Sequence, residues 1–235
     1  MFTAKLDARA PADPNERETT CKELAVLFRA ARAVISDNQV LINEQSANDK
    51  GLTSAKVVDA AKAGFEKAAG HPLATDESSP LGQANESMLE SIAEVMDKAQ
   101  PLINDASKGF KGFLPAVFAK QVADGFTKRM DGKFAIKLTA PKNLIRNMAN
   151  RPDEWENGVL ENKFKAKDWT RGAGFSENAA HRGKPAYRLL IPEYYGASCL
   201  ACHGEPKGER DITGGKKEGA KLDELGGAIS VVQYD

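Results

Sequence analysis

The chain is poor in the residues that metal and redox sites are made from: three cysteines, three histidines and five methionines in 235 residues. Two of the cysteines and one histidine fall in one short segment, which leaves only Cys21, His71 and His181 elsewhere. A closed zinc site needs a second ligand pair at a recognisable spacing, and these three residues do not supply one. Long apolar runs are lacking as well. No stretch approaches the roughly eighteen residues of a membrane span, and the mean hydropathy is −0.46. Charge of one sign is missing too. Lys+Arg and Asp+Glu both total 33, so neither nucleic acid nor an anionic membrane surface is expected as a partner. Nucleophile–base constellations and phosphate-cradling loops are absent, since Gly214-Gly215 is too short a glycine signal. The chain is therefore not expected to be an enzyme.

What is present is Cys199-Leu200-Ala201-Cys202-His203. Two thiols two residues apart, followed at once by histidine, form the attachment site of a c-type haem. Each thiol can make a thioether to a haem vinyl group, and the adjacent imidazole reaches the iron from one face. A porphyrin held this way cannot dissociate, so the site needs no large enclosing pocket. The chemistry open to it is electron transfer or ligand binding at iron. A thioredoxin-like pair is the other reading of CxxC, but neither YYGAS before it nor HGEP after it resembles that strand-to-helix context. Haem is joined to this motif outside the cytoplasm, so a secretory signal is expected upstream. MFTAKLDARAPADPNERETT has no apolar core and is not that signal. The sequence is accordingly expected to be a processed chain or an excised periplasmic domain.

The first half of the chain repeats. Residues 39–67 recur at 100–128 with a constant offset of 61. QVLIN becomes QPLIN, Lys50-Gly51-Leu52 becomes Lys111-Gly112-Phe113, and Gly64-Phe65 returns as Gly125-Phe126. Upstream, Leu27, Phe28, Ala31, Val34 and Ile35 align with Met88, Leu89, Ile92, Val95 and Met96. This is the mark of a duplicated helix–loop–helix unit. Leu24, Leu27, Phe28, Ala31, Val34 and Ile35 carry helical spacing, and Thr20 with Glu23 reads as a capping box that starts a helix near 21–38. Further helices are expected near 53–69, 85–99 and 114–130, with 70–84 as linker. Four such stripes can bury one another as an antiparallel helical layer.

After residue 132 the period changes. Residues 134–139 suit a strand, and a short helix follows near 152–161. Trp169–Ser176 is expected to pair with Tyr187–Pro192 around the HRGKP turn, and residues 226–232 form the last strand. The organisation expected is a flexible segment 1–19, a duplicated helical region 20–131 (copies about 20–70 and 85–131), and a sheet domain 132–235. The fold class is α+β.

Four segments resemble the bacterial c-type haem domains of PAS-like fold, long described as a domain of unknown function of the DUF3365 type. They are RNMANRPDEWE (146–156), CLACHGEP (199–206), GGKKEG (214–219) and GGAIS (226–230). The resemblance covers about 87–235. Members serve as periplasmic sensor parts of chemoreceptors and histidine kinases or as stand-alone monohaem cytochromes. Carried over, it makes Cys199 and Cys202 the thioether anchors of one covalent haem c and His203 the proximal iron ligand, on a PAS-like antiparallel sheet. Met148 departs from the pattern, which has proline after the Arg-Asn pair.

The opposite axial position varies in this family and must be argued from the chain. Met96 lies on the inner stripe of its helix, and Met88 does likewise; methionine there is also ordinary core filler. Cys21 is expected at a helix N-terminus, where a thiol is acidified. His181 sits in the hairpin turn, Met148 could reach the porphyrin if its loop closes, and His71 lies in the linker. An open position is the remaining choice. Arg146, Arg151, Arg188 and Lys216-Lys217 are candidates to meet haem propionates, and Trp155, Trp169, Tyr187, Tyr194 and Tyr195 are candidates to wall the ring. Two roles follow: a periplasmic sensor of redox state or a diatomic gas, and a soluble periplasmic electron carrier that docks to a redox partner. Haem-based catalysis ranks behind both. Pairing of the helical region into a homodimer is expected.

Overall fold

The computed structural model describes residues 14–235, so the expected flexible segment lies outside the described residues up to residue 13. From Pro14 the chain is already helical. Helix α1 runs Pro14–Asp37, seven residues further upstream than the capping-box reading placed it. Thr20 is 3% exposed inside this helix and caps nothing. The extra turns are stabilised by tertiary contacts: Cys21 and Leu24 are fully buried, and Arg17 pairs with Asp235 at 2.5 Å.

A short helix α2 (Gln39–Asn43) follows, then α3 (Ser54–Ala69) with the Thr53 side chain as its cap. Helix α4 is longer than its apolar stripe suggests, Pro80–Ile103, because Ser79 caps it and Pro80 opens it. Residues 80–84 of the expected linker therefore belong to this helix. Gly82 in its first turn lies where a Cβ would sit 1.9 Å from the Asp76 carbonyl oxygen, so the DESSPLG turn is folded tightly onto the helix start. Helix α5 spans Pro115–Arg129.

The repeat seen in sequence is a reciprocal hydrogen-bond exchange in space. The Asn43 side chain accepts from the Lys111 backbone N–H at 3.0 Å, and Asn104 accepts from Lys50 N–H at 3.0 Å. Gln39 donates to the Phe113 carbonyl at 2.9 Å, and Gln100 donates to the Leu52 carbonyl at 2.9 Å. Each copy's QxLIN segment thus satisfies the Lys-Gly loop of the other copy. The positive φ of Gly51 and Gly112 (60° and 67°) shapes the two loops alike. This junction ties α2 and the C-terminal end of α4 each to the loop of the other copy.

Four antiparallel strands follow: β1 (Phe134–Thr139), β2 (Phe175–Asn178), β3 (Ala186–Tyr194) and β4 (Leu225–Tyr234). Their order is β1-β4-β3-β2. Strand β2 begins later than expected, since Trp169 closes a turn by donating to the Ala173 carbonyl at 3.1 Å. Between β1 and β2 a capping box formed by Asp153 and Glu156 starts α6 (Glu154–Val159), which runs on as a π turn over Leu160–Phe164.

Side chains alternate between the two sheet faces. Phe134, Ile136, Tyr187, Leu189, Ile229 and Val231 join the helical residues in one continuous core. On the other face Leu190 and Ala228 pack with Val159, Leu160 and Phe164. No helix among the described residues is long and apolar enough to cross a membrane.

Because each asparagine at the repeat junction is the acceptor for a loop N–H beside a buried lysine, removing either leaves that donor unpaired. Asn43→Ala and Asn104→Ala should each cost about 1–3 kcal/mol, and about equally, in urea denaturation. A cost confined to one of them would mean that the two bonds are not equivalent.

Candidate functional site

The motif lies in the connection from β3 to β4. Residues Ala197–Cys199 form a 3-10 turn that continues into the single-turn helix α7 (Leu200–His203). One helical turn places Cys199 and Cys202 on the same side. Both thiols are free and partly exposed. The turn stops at Gly204, where a Cβ would sit 2.6 Å from the Leu200 carbonyl oxygen. The His203 carbonyl is tied down in turn by Ala220 N–H at 2.8 Å.

His203 is held on two sides. Its Nδ1 lies 2.8 Å from Glu218 Oε2, and its ring packs on Tyr195, centroids 5.2 Å apart and 34° between planes. Gly226 makes room for that tyrosine, since a Cβ there would come within 2.9 Å of the ring. Burial raises the Tyr195 hydroxyl pKa to about 12, so the ring is neutral.

Arg146 organises the loop from below. Its Nε and one terminal nitrogen contact the two Glu218 oxygens at 2.7 and 3.0 Å, and another nitrogen meets Asp211 at 2.5 Å. It also donates to the carbonyls of Cys202 (2.8 Å) and Lys216 (3.1 Å). Gly215 lets the guanidinium approach, a Cβ there meeting it at 3.0 Å. Burial by itself would raise the carboxyl pKa values of Asp211 and Glu218. For Asp211 the Thr213 and Arg146 bonds outweigh it, and for Glu218 the Arg146 and His203 bonds do, so both lie below the usual carboxylate range. Burial and the Asp211 charge push the Cys202 thiol above its ordinary value.

The four segments that carry the resemblance therefore meet at one place: Arg146, the CLACH turn, Glu218 and Gly226 all touch His203 or its supports. Glu218, which sequence reading did not single out, is the closest polar neighbour of the histidine. Its only sequence signal was membership of the GGKKEG run. The donor set fits a c-type haem. Two accessible thiols stand one turn apart, and an ionised carboxylate on Nδ1 makes that nitrogen the protonated one and leaves Nε2 free for a metal.

The helical part reaches the same loop. Ser36 on α1 lies 3.2 Å from the Ser198 hydroxyl, and Arg29 and Arg32 both pair with Glu193 near the end of β3. Beside them is a cleft of about 500 Å³, also lined by Arg171 and Tyr194.

Of the other candidates, Met88 and Met96 are fully enclosed in α4 within the helical core. Cys21 is not at a helix N-terminus. It lies inside α1 and is fully buried, and burial pushes its thiol up to about 12 rather than acidifying it. It is fifteen residues from Ser36, roughly 22 Å along the helix. His181 is buried in the β2–β3 turn with Nδ1 2.6 Å from the Tyr234 hydroxyl, at the opposite end of β3 from Tyr194. Met148 is 61% exposed and follows Arg146 by two residues. His71 is exposed and stacks edge-on against Phe65. Arg188 is buried beneath the sheet, paired with Asp153 at 2.6 Å and lying over Trp155, and Trp169 packs with Phe164 and Phe175. These residues build the far sheet face rather than the motif's surroundings. Lys217 pairs with Glu209 at 3.1 Å.

A family model described as Tll0287-like matches residues 30–233. The match spans most of the chain, which therefore belongs to the Tll0287-like family. Membership fits the resemblance carried by the motif segments and supports a haem-binding, cytochrome-like domain. No curated protein and no solved structure matches the chain.

The Arg146–Asp211 pair sets a pH window. Asp211 titrates below its unfolded value near 4, so its contribution is complete above that pH and fades as the pH falls towards the folded-state value. Hydrogen exchange in 205–221, corrected for intrinsic rate, should be slow at pH 7 and faster at pH 3. Arg146→Gln should open the segment already at pH 7; unchanged protection in that variant would contradict the role given to Arg146.

Proposed function

We propose that this protein is a periplasmic haem sensor module with one covalent haem c on Cys199 and Cys202 and His203 as axial ligand, built on a PAS-like sheet. When bound, the haem supplies a redox-active iron able to take a diatomic ligand. The observation that carries the sensing role is the attachment of α1 to the haem loop through Ser36–Ser198 and through Arg29 and Arg32 on Glu193. A displacement of the loop is thereby passed to a long helix whose far end meets the opposite end of the central strand β4, through Arg17 and Asp235. A sensor needs two iron states that favour different packings of such an element. The helical region then offers the surface for pairing into a homodimer, and no catalytic role is assigned.

The sixth iron position is read as open to an exogenous ligand. Met96 would have to leave the helical core to occupy it, as would Met88, and Cys21 and His181 are held elsewhere. Met148 alone among these side chains is exposed on a segment that touches the motif.

Electron transfer is the second reading, favoured by the partial exposure of Cys199, Cys202 and His203, which would leave a haem edge at the surface. Optical and EPR spectra of the ferric and ferrous protein, with CO and NO added to the ferrous form, separate the two. Sensing predicts gas binding, together with altered hydrogen exchange in 29–36 and 193–199. A six-coordinate low-spin iron that refuses both gases, with unchanged exchange in α1, would point to electron transfer. A ferric signal typical of methionine ligation would place Met96, Met88 or Met148 on the iron.

A further inference from the structure

The surroundings of His203 have a charge balance that bears on the iron. Arg146 carries one positive charge and faces two carboxylates, Asp211 at 2.5 Å and Glu218 at 2.7 Å. One negative charge is left over. Among the described residues no second cation pairs with either carboxylate; the further contact is the neutral His203 ring, whose Nδ1 lies on Glu218 Oε2 at 2.8 Å. Tyr195 on the ring face is neutral, and Lys217 is engaged by Glu209 at 3.1 Å. Glu218 is also immobile, because its two oxygens are both bonded to Arg146 while one of them also meets the imidazole. Its side chain is 16% exposed, so water screens the contact only in part.

From this geometry we infer that Glu218 is a positioning residue for iron ligation and holds the reduction equilibrium towards the ferric state. The inference rests on His203 being the axial ligand. A fixed carboxylate that accepts the Nδ1–H bond orients the ring and moves electron density to Nε2, which makes the imidazole a stronger donor. Stronger donation and the unbalanced negative charge both favour the more positive iron, and hydrogen bonding around an axial ligand is an established lever on haem potential. Arg146 contributes by clamping Glu218, and Asp211 by occupying the rest of the guanidinium.

The test is a spectroelectrochemical titration of the full haem-loaded chain and its Glu218→Gln variant, at equal haem content per protein. Glutamine keeps the shape and removes the charge. The expected result is a shift of the reduction equilibrium towards ferrous iron by at least about tenfold, which is about 59 mV for one electron. An unchanged midpoint in a variant with wild-type haem content overturns the inference and leaves the haem reading standing. A wild-type chain that takes up no haem overturns the haem reading, and this inference with it. Should Glu218→Gln fail to fold, histidine-labelled wild-type protein decides the matter by NMR. A His203 Nδ1–H protected from solvent exchange supports the carboxylate bond, and exchange at the free rate overturns it.

Discussion

The Arg146 guanidinium is the group on which the arrangement of the loop around the CxxCH turn depends. The chain between β3 and β4 is thirty residues of turns, glycines and short helices, with few apolar side chains to hold it against the sheet. Backbone bonds such as Ala220 N–H to the His203 carbonyl fold it locally, and a single cation joins its parts by reaching Glu218, Asp211 and the carbonyls of Cys202 and Lys216 at once. Charge-assisted bonds of this kind are stronger than neutral ones, and a planar fork imposes direction as well as strength. Glu218 then fixes the imidazole, and Tyr195, seated against Gly226, supports its face. The cysteines and the histidine are presented by a turn whose conformation is determined from outside the turn.

The helical half is organised on a different principle. There the duplicated QxLIN and Lys-Gly segments exchange hydrogen bonds, so that each copy supplies what the other lacks. The result is a helical layer whose core continues without a break into one face of the sheet. Helix α1 belongs to both halves: it is buried among the helices along one side and meets Glu193 and Ser198 along the other. It is the element that joins the CxxCH loop to the packing of the helical region.

Much of this was legible in the sequence. The CxxCH motif stands out because its five residues are contiguous and carry their chemistry together. The repeat was visible because the copies align without gaps, and α3 and α5 followed from apolar period and flanking turn residues. The starts of α1 and α4 were misjudged for a physical reason. Thr20 and Glu23 imitate a capping box inside α1, and Pro80 and Gly82 read as part of a linker, yet Pro80 occupies a first-turn position that tolerates proline and Gly82 is needed for close packing on Asp76. Glu218 could not be picked out because its significance is non-local. It is separated from Arg146 by 72 residues and from His203 by 15, and nothing in GGKKEG marks which of its charges turns inward. Arg188 misled in the opposite sense, since a candidate for propionates proved to be buried under the sheet with Asp153.

The central claim is that Cys199 and Cys202 carry a covalent haem on a loop that presents His203 to its iron. The most direct measurement is intact mass together with the pyridine haemochrome spectrum, on chain exported and matured with the c-type cytochrome assembly machinery. The account predicts one haem per chain, retained after acid–acetone extraction and lost when Cys199 and Cys202 are both replaced by alanine. A mature chain whose mass shows no adduct, or haem that extracts freely, would contradict it.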